Sequence, residues 1–227
     1  MRGELFPTRE AYPFNLRVLQ ATRSLHLRSK VTFFIGENGS GKSTLLRAIA
    51  RSCGIHIWEG LERARFTPNP FEGELHRYLE AEWASGPVPG SFFSSDLFRG
   101  FSQSVDEWAI NDPEVLKVYG GKSLLVQSHG QSHMAFFTNR FRIPGLHFLD
   151  EPENALSPRT QLRLRDLLTE LALIGQSQFI LASHSPILLS TPGATIVDFD
   201  GESLEPIEYR QTDHFRTYRR FFETIAG

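Results

Sequence analysis

Short apolar runs alternate along the chain with segments that have the periodicity of helices. Four of the runs are nearly continuous, as expected for strands that are covered on both faces of a sheet. Strands are therefore expected at Val31–Ile35, Leu146–Leu149, Gln178–Ala182 and Thr195–Phe199. Helices are expected at Lys42–Arg51, Leu75–Ala84, Ser132–Arg140, Pro158–Ile174 and His214–Ile225. The alternation predicts an α/β fold with a mainly parallel central sheet that is flanked by helices.

The stretch between Gly54 and Gly121 is less regular than the rest of the chain. It is interrupted by Pro68, Pro70, Pro87, Pro89 and Pro113 and by Gly60, Gly73, Gly86, Gly90 and Gly100. This punctuation predicts a small helical or irregular subdomain, at about residues 54–145, that is inserted into the sheet scaffold. We expect residues 1–227 to form one domain that includes it.

Composition narrows the class of protein. The 227 residues carry 24 Lys+Arg and 26 Asp+Glu, so the net charge of −2 provides no global attraction for nucleic acid or anionic membranes. Cys53 is the single cysteine, which excludes an internal disulfide and favours a reducing, cytoplasmic setting. Apolar runs are much shorter than the roughly 20 residues that span a bilayer, and the N-terminus lacks the apolar core of a signal peptide. These features predict a soluble intracellular protein.

A glycine-rich loop joins the first predicted strand to the first predicted helix. Its sequence, Gly-Glu-Asn-Gly-Ser-Gly-Lys-Ser-Thr, fits the phosphate-loop pattern G-x-x-x-x-G-K-[ST]. Such glycines let successive backbone N–H groups point into one anion-sized hollow, to which the helix N-terminus adds its positive dipole. Lys42 can reach the β- and γ-phosphates, and the Ser43 hydroxyl can ligate Mg²⁺. The predicted nucleotide-binding residues are Gly36, Asn38, Gly39, Ser40, Gly41, Lys42, Ser43 and Thr44.

Polar side chains follow two other predicted strands at their carboxyl ends. In a parallel α/β sheet these ends face the same crevice as the phosphate loop. Asp150 is expected to hold Mg²⁺, directly or through water, and Glu151 to orient and polarise the water that attacks the γ-phosphorus. His184 can contact the γ-phosphate, although a histidine in a surface loop is the competing interpretation.

The order of these motifs resembles that of the ABC-type ATPase family. After the phosphate loop come a candidate signature loop, Gln127-Ser-His-Gly-Gln131, the acidic strand end, a D-loop at Ala155-Leu-Ser157, and the switch histidine His184. The resemblance extends over about residues 12–200. It is nearest to small bacterial AAA/ABC ATPases that are related to RecF/SMC-like and OLD-like heads.

The resemblance implies a P-loop NTPase fold, ATP and Mg²⁺ as cofactors, and ATP hydrolysis by a head-to-tail homodimer that encloses two ATP molecules. It implies that the signature loop acts in trans, through Ser128, His129, Gly130 and Gln131. Asp96, or Gln103 as second choice, is the candidate for the glutamine-loop position that contacts metal and water. Tyr12 or Phe14 is the candidate for stacking on adenine, with packed core aromatics as the alternative.

Two departures from the family pattern affect the expected function. The signature loop reads Q-S-H-G-Q where the family has L-S-G-G-Q, and Ser157 replaces the D-loop aspartate. These variants favour an ATPase linked to DNA repair or defence. The alternatives are the ATP-binding subunit of a membrane transporter, which requires a membrane-protein partner, and a nucleotide-switched interaction protein with low turnover. Arg216, Arg219 and Arg220 could contact DNA phosphates, or could form a solvated basic face.

Overall fold

A six-stranded sheet organises the described part of the chain, which is residues 1–58 and 69–226 of the computed structural model. The strands are β1 (Val31–Ile35), β2 (Gly90–Ser94), β3 (Leu146–Asp150), β4 (Gln178–Ala182), β5 (Thr195–Asp198) and β6 (Glu205–Ile207). Their order across the sheet is β2-β3-β4-β1-β5-β6. The first five strands are parallel, and β6 joins the edge antiparallel to β5. The predicted α/β fold with a mainly parallel sheet is confirmed.

Helices cover both faces of this sheet. They are α1 (Arg17–Ala21), α2 (Lys42–Ser52), α3 (Phe98–Asn111), α4 (His129–Arg140), α5 (Pro158–Ile174), α6 (Pro186–Leu189) and α7 (Asp213–Ala226). Helix α5 begins where Ser157 Oγ accepts a hydrogen bond from the Thr160 N–H at 3.3 Å, and it ends at Gly175, whose φ is 78°. Among the described helices, none is both long enough and apolar enough to span a lipid bilayer.

The hydrophobic core lies on both sides of the sheet because the central strands are mostly apolar and are covered on both faces. All five residues of β1 and all five of β3 are buried. Alternate side chains of β1 point to opposite faces, so Phe33 packs in one cluster with Leu181, and Phe34 packs in the other with Ile180. Because the centre of the sheet is fixed from both sides, the strand ends that carry the polar motifs are held in register.

The stretch that was predicted to be irregular contributes an element to the central sheet. Strand β2 pairs with β3 along its full length, from Gly90 opposite Leu146 to Ser94 opposite Asp150. A side chain at position 90 would place its Cβ 2.0 Å from the Leu146 carbonyl oxygen, so the close approach of the two strands requires glycine there. Gly60 and Pro68, which contributed to the irregular prediction, lie outside the described residues.

The helix predicted at Leu75–Ala84 is wrong. A 3₁₀ turn occupies Glu74–Tyr78, and the backbone is extended at Leu79. The Tyr78 ring packs edge-on against Phe6 and Phe14 at centroid distances of 5.7 and 5.1 Å. These contacts with the N-terminal segment override the local helical pattern.

Protonation of His133 is expected to weaken the fold in acid. This side chain is 3% exposed on α4, and its ring lies 5.0 Å from Phe93 and 4.6 Å from Phe98. Burial, with a smaller contribution from His129, lowers the pKa of His133 from 6.5 to about 4. A hydrogen bond with the Asn154 backbone raises it only in part. The unfolded chain therefore binds this proton at higher pH than the folded chain. Lowering the pH from 7 to 5 should cost roughly 2 kcal/mol of folding free energy at this site.

Urea unfolding of the wild type and of His133→Phe at several pH values measures this effect. Phenylalanine suits the surrounding rings and does not titrate, so the free energy of unfolding of the variant should fall less between pH 7 and pH 5. Equal falls in the two proteins would show that His133 is not a source of acid sensitivity.

Candidate functional site

The glycine-rich loop lies between β1 and α2, as its sequence predicts. Its glycines adopt backbone conformations that other residues rarely adopt, with φ of 141° at Gly36 and 100° at Gly41. A Cβ at Gly36 would lie 2.9 Å from Asp200 Oδ1, and one at Gly41 would lie 2.5 Å from Leu16 Cδ1. The loop is therefore packed closely from two sides, which fixes the direction of its N–H groups.

Lys42 is drawn into this loop. Its Nζ donates hydrogen bonds to the carbonyl oxygens of Gly36 at 2.7 Å and Glu37 at 2.9 Å, and the residue is 5% exposed. Burial lowers the pKa of Lys42. Four nearby carboxylates raise it, but by less than burial lowers it: Asp200, Glu151, Asp150 and Glu37. The ammonium is thus a partly desolvated charge at the centre of the loop, where an anionic group would interact strongly with it.

Ser43 and Asp150, the two residues predicted to hold metal at the loop and at the strand end, are in direct contact. Ser43 Oγ donates to Asp150 Oδ1 at 2.6 Å, and Arg47 Nη2 lies 3.3 Å from Asp150 Oδ2. Burial raises the pKa of Asp150, while the Ser43 hydrogen bond and the Arg47 guanidinium lower it. A hydroxyl and a carboxylate side by side are oxygen ligands of the kind that Mg²⁺ uses together with phosphate and water.

Among the described residues, no group of three or more His, Cys, Asp or Glu side chains could hold a metal ion by itself. A site with few protein ligands suits a magnesium ion that retains several waters and is bound partly by its substrate.

Glu151 lies beside Asp150 in an unusual backbone conformation. Its φ is 49°, a left-handed value that costs a non-glycine residue about 1–3 kcal/mol. Three hydrogen bonds hold the residue: its N–H donates to the Ala182 carbonyl at 2.9 Å, its own carbonyl accepts from Ser95 Oγ at 2.5 Å, and its Oε2 accepts from Asn154 Nδ2 at 2.8 Å. The carboxylate is therefore aimed by the surrounding structure.

His184 lies at the same edge of the sheet, just after β4. Its N–H donates to Glu153 Oε1 at 2.5 Å, and its Nδ1 is 3.3 Å from His214 Nε2. Its Nε2 is buried without a hydrogen-bond partner. Burial lowers the pKa of His184, and Lys42 and His214 lower it further. A neutral imidazole with one free nitrogen is available to an incoming ligand.

The signature-loop residues lie at the start of α4. The Ser128 N–H donates to Gln131 Oε1 at 3.2 Å, which caps the start of α4. Ser128, His129 and Gln131 are exposed, and a Cβ at Gly130 would lie 3.0 Å from the Ala155 carbonyl oxygen. Within the described residues, no hydrogen bond joins this loop to residues 36–44.

The two candidates for contact with adenine differ in their surroundings. Phe14 is fully buried and packs against Phe6, Phe71 and Tyr78 at ring distances of 4.8, 5.8 and 5.1 Å, so it has no free face for a base. Phe14 is therefore a packed core aromatic, which is the alternative given for it from the sequence. Tyr12 is 39% exposed, and its hydroxyl is hydrogen-bonded to the Thr44 hydroxyl at the start of α2. Adenine stacking on Tyr12 stays a prediction.

The remaining predicted residues are placed as follows. Asn38 is exposed at the rim of the phosphate loop, and Ser40 Oγ is buried without a partner. Asp96 is exposed in the turn after β2, next to the strand that carries Asp150, whereas Gln103 is exposed on α3. The functional roles of these residues stay predictions.

Sequence reasoning missed three side chains at this site. Asp200, in the turn after β5, accepts the Glu37 N–H at 2.9 and 3.1 Å, and His214 reaches His184 from α7. Both come from distant segments without a local motif. Arg47 stands four residues after Ser43 on α2, so helical spacing could have placed it on the same face.

Two family models match parts of the chain. Residues 14–59 match a model described as an AAA domain, and residues 124–190 match one described as "AAA domain, putative AbiEii toxin, Type IV TA system". These segments contain the phosphate loop in the first case and the signature loop, the acidic strand end and His184 in the second.

Curated relatives and a solved structure are also similar. Phosphate import ATP-binding protein PstB 2 of Streptococcus pneumoniae is 26% identical over 171 residues, which are 63% of this chain and 62% of that protein. PstB of Parasynechococcus marenigrum is 28% identical over 168 residues, 63% and 60% of the two chains. CbiO1 of Clostridium perfringens, part of the ABC transporter complex CbiONQ, superposes with a TM-score of 0.52 at 17% identity, covering 88% of this chain and 86% of that one.

The fold and the order of the motifs agree with these similarities. By both, the chain is similar to ABC-type P-loop ATPase domains. It spans 62% of the length of the first pneumococcal relative, so the activity of that whole protein is not transferred by similarity alone.

Proposed function

We propose that this chain binds ATP with Mg²⁺ and hydrolyses it to ADP and phosphate. The observation that carries the proposal is the contact between Ser43 and Asp150, 2.6 Å long, directly beside Lys42 in its glycine-rich loop. That contact brings a candidate metal-binding pair to the position where a bound triphosphate would place its β- and γ-phosphates. Glu151 and His184 stand at the same edge of the sheet.

Each side chain has a distinct role in the proposed reaction. Lys42 exchanges its loop carbonyl partners for phosphate oxygens and offsets their negative charge. Ser43 and Asp150 hold Mg²⁺, which supplies charge neutralisation on the phosphates when it is bound. Glu151 accepts a hydrogen bond from the attacking water and orients it, and His184 Nε2 donates to the γ-phosphate.

We further propose that the signature loop completes the site of a second copy in an ATP-dependent homodimer. Ser128, His129, Gly130 and Gln131 are placed at the N-terminus of α4, where backbone N–H groups and the helix dipole favour an anion. The exposure of Ser128, His129 and Gln131, and the lack of hydrogen bonds from this loop to the phosphate loop among the described residues, support action in trans.

The process that the ATPase drives is proposed to involve DNA, in repair or defence. The match of residues 124–190 to a model whose description includes a putative toxin of a Type IV TA system supports a role in defence. The replaced signature and D-loop residues and the exposed Arg216 and Arg220 on α7 also support this proposal.

A transporter subunit is the second candidate. The printed names of the PstB relatives and of CbiO1 favour it, because those proteins are described as import ATP-binding proteins and as part of an ABC transporter complex. In that case the chain would act with a partner that supplies membrane-spanning helices.

Phosphate release from Mg-ATP, measured with and without duplex DNA, tests these proposals together. We expect basal release that duplex DNA stimulates several-fold at about 50 mM salt and much less at about 200 mM, because DNA contacts weaken as salt rises. A rate of phosphate release that is the same with and without DNA at both salt concentrations would contradict the DNA role and favour the transporter subunit. Binding of ATP without release would contradict hydrolysis and favour the nucleotide-switched interaction protein.

A further inference from the structure

The first turn of α7 brings a second histidine to the candidate site. His214 Nε2 is 3.3 Å from His184 Nδ1, and the two ring centroids are 5.5 Å apart. Both rings line a cavity of about 400 Å³ together with Gly36 and Glu37, at the start of the phosphate loop. The pair therefore stands where a nucleotide phosphate would approach His184.

The position of His214 is fixed by contacts at the start of α7. Thr212 is fully buried, and its Oγ1 accepts the Phe215 N–H at 3.2 Å and donates to the Tyr209 carbonyl at 2.8 Å. Tyr209 in turn donates its hydroxyl to the Pro186 carbonyl at 2.9 Å and packs on the Phe215 ring at 5.0 Å. Pro186 begins α6, two residues after His184, so the segment that carries one histidine is attached to the segment that carries the other.

Each ring of the pair has one nitrogen without a partner. His184 Nε2 and His214 Nδ1 are both buried and make no hydrogen bond. Burial, as the largest cause, lowers the pKa of both histidines, and Lys42 lowers both further. Nearby carboxylates oppose this shift without reversing it: Asp213, Asp200 and Glu37 for His214, and Glu151 and Glu37 for His184. Two neutral rings can form one N–H···N hydrogen bond over this 3.3 Å distance, in which either His214 Nε2 or His184 Nδ1 is the donor and the other is the acceptor.

The direction of this hydrogen bond decides what His184 offers to a ligand. If His184 Nδ1 carries the proton, its Nε2 presents a lone pair, which repels a phosphate oxygen. If His214 Nε2 carries a proton, it donates a hydrogen bond to His184 Nδ1. The proton of the neutral His184 ring is then on Nε2, where it can form a hydrogen bond to that oxygen. The protonation of one ring nitrogen is set by the bond that the other makes.

We propose that His214 is a positioning residue that donates from Nε2 to Nδ1 of His184 and thereby holds His184 in the tautomer that donates to the γ-phosphate. The proposal rests on the proposed ATP hydrolysis, and it adds a residue from α7 to that site. His214 does not contact the phosphate; it acts through His184.

Five variants of the full chain, including His184→Ala alone, separate this role from a structural one. His214→Phe keeps a ring and removes the donor, whereas His214→Gln restores an N–H close to the position of Nε2. Thr224→Val, on an exposed part of the same helix, is the matched control. The double variant His184→Ala/His214→Phe tests whether the two residues act together.

We expect His214→Phe to lower kcat about tenfold, as expected for the loss of one functional hydrogen bond. Its ATP dissociation constant should stay within about twofold of the wild type, because the phosphate loop is unchanged. His214→Gln should recover most of the rate, Thr224→Val should match the wild type, and the double variant should be no slower than His184→Ala alone.

Nitrogen NMR of the imidazole rings gives a readout that does not depend on turnover. In the nucleotide-free wild type, the His184 signals, assigned by their loss in His184→Ala, should show the proton on Nε2. In His214→Phe they should show a mixture of tautomers.

The outcomes distinguish the two proposals. A wild-type rate in His214→Phe, or losses that add in the double variant, would overturn the role of His214 and leave ATP hydrolysis standing. A proton on His184 Nδ1 in the wild type would overturn it as well. The absence of hydrolysis by the wild-type chain would overturn both proposals.

Discussion

Replacement of Lys42 by alanine is expected to weaken ATP binding by about 100-fold or more and to reduce phosphate release to background. The residue is 5% exposed and its ammonium is held by two carbonyls of the phosphate loop, so it is already placed at the centre of the expected phosphate site. Calorimetric titration with ATP and a phosphate-release assay measure the two effects. No other described lysine lies in this loop to replace the charge.

The fold should survive the loss of Lys42. Burial lowers the pKa of this lysine, which means that its charged form is costly in the nucleotide-free protein. Lys30→Ala is the matched control, because Lys30 lies just before β1 and its Nζ donates to the Gly175 carbonyl at 2.6 Å, away from the phosphate loop. If Lys42→Ala bound and hydrolysed ATP as well as Lys30→Ala, the phosphate loop would be misassigned.

Glu151→Gln is expected to lower the hydrolysis rate by about 10²–10⁴-fold while ATP still binds. Glutamine has the size of glutamate and can keep the contact with Asn154 Nδ2, but it is a much poorer acceptor for a proton from water. The other two hydrogen bonds of this residue are made by its backbone, so its left-handed conformation should be retained. Single-turnover hydrolysis and ATP titration separate the two effects.

Glu170→Gln provides the comparison for this variant. Glu170 is exposed on α5, so the same chemical change there should leave the rate unaltered. A Glu151→Gln protein that turned over ATP at the wild-type rate would show that another group orients the attacking water.

Much of the sheet and the phosphate loop could be predicted because their signals are local. Strands β1 and β4 are nearly continuous apolar runs, and the sequence predicts both at their observed bounds. Helix α5 was located exactly as observed, because Ser157, Pro158 and Gly175 mark its ends. The phosphate loop combines a glycine pattern with the strand and helix that its chemistry requires.

The elements that were missed depend on contacts between distant segments. The apolar run of β2 is only Phe92 and Phe93, flanked by serines, and the strand becomes evident only through its pairing with β3. Distant contacts also explain why the helix predicted after Gly73 does not form. The Tyr78 side chain packs on the N-terminal segment, and this packing overrides the local helical pattern. At the site, His214 reaches His184 only because α6 and α7 are joined by tertiary contacts.

We propose above that ATP is held between the phosphate loop of one chain and the signature loop of another. The molar mass of Glu151→Gln in solution, measured by light scattering with Mg-ATP and with Mg-ADP, tests it most directly. We expect twice the mass of one chain with ATP and the mass of one chain with ADP, because the γ-phosphate is what the second signature loop would contact. The mass of a single chain with saturating ATP would contradict ATP-dependent dimerisation.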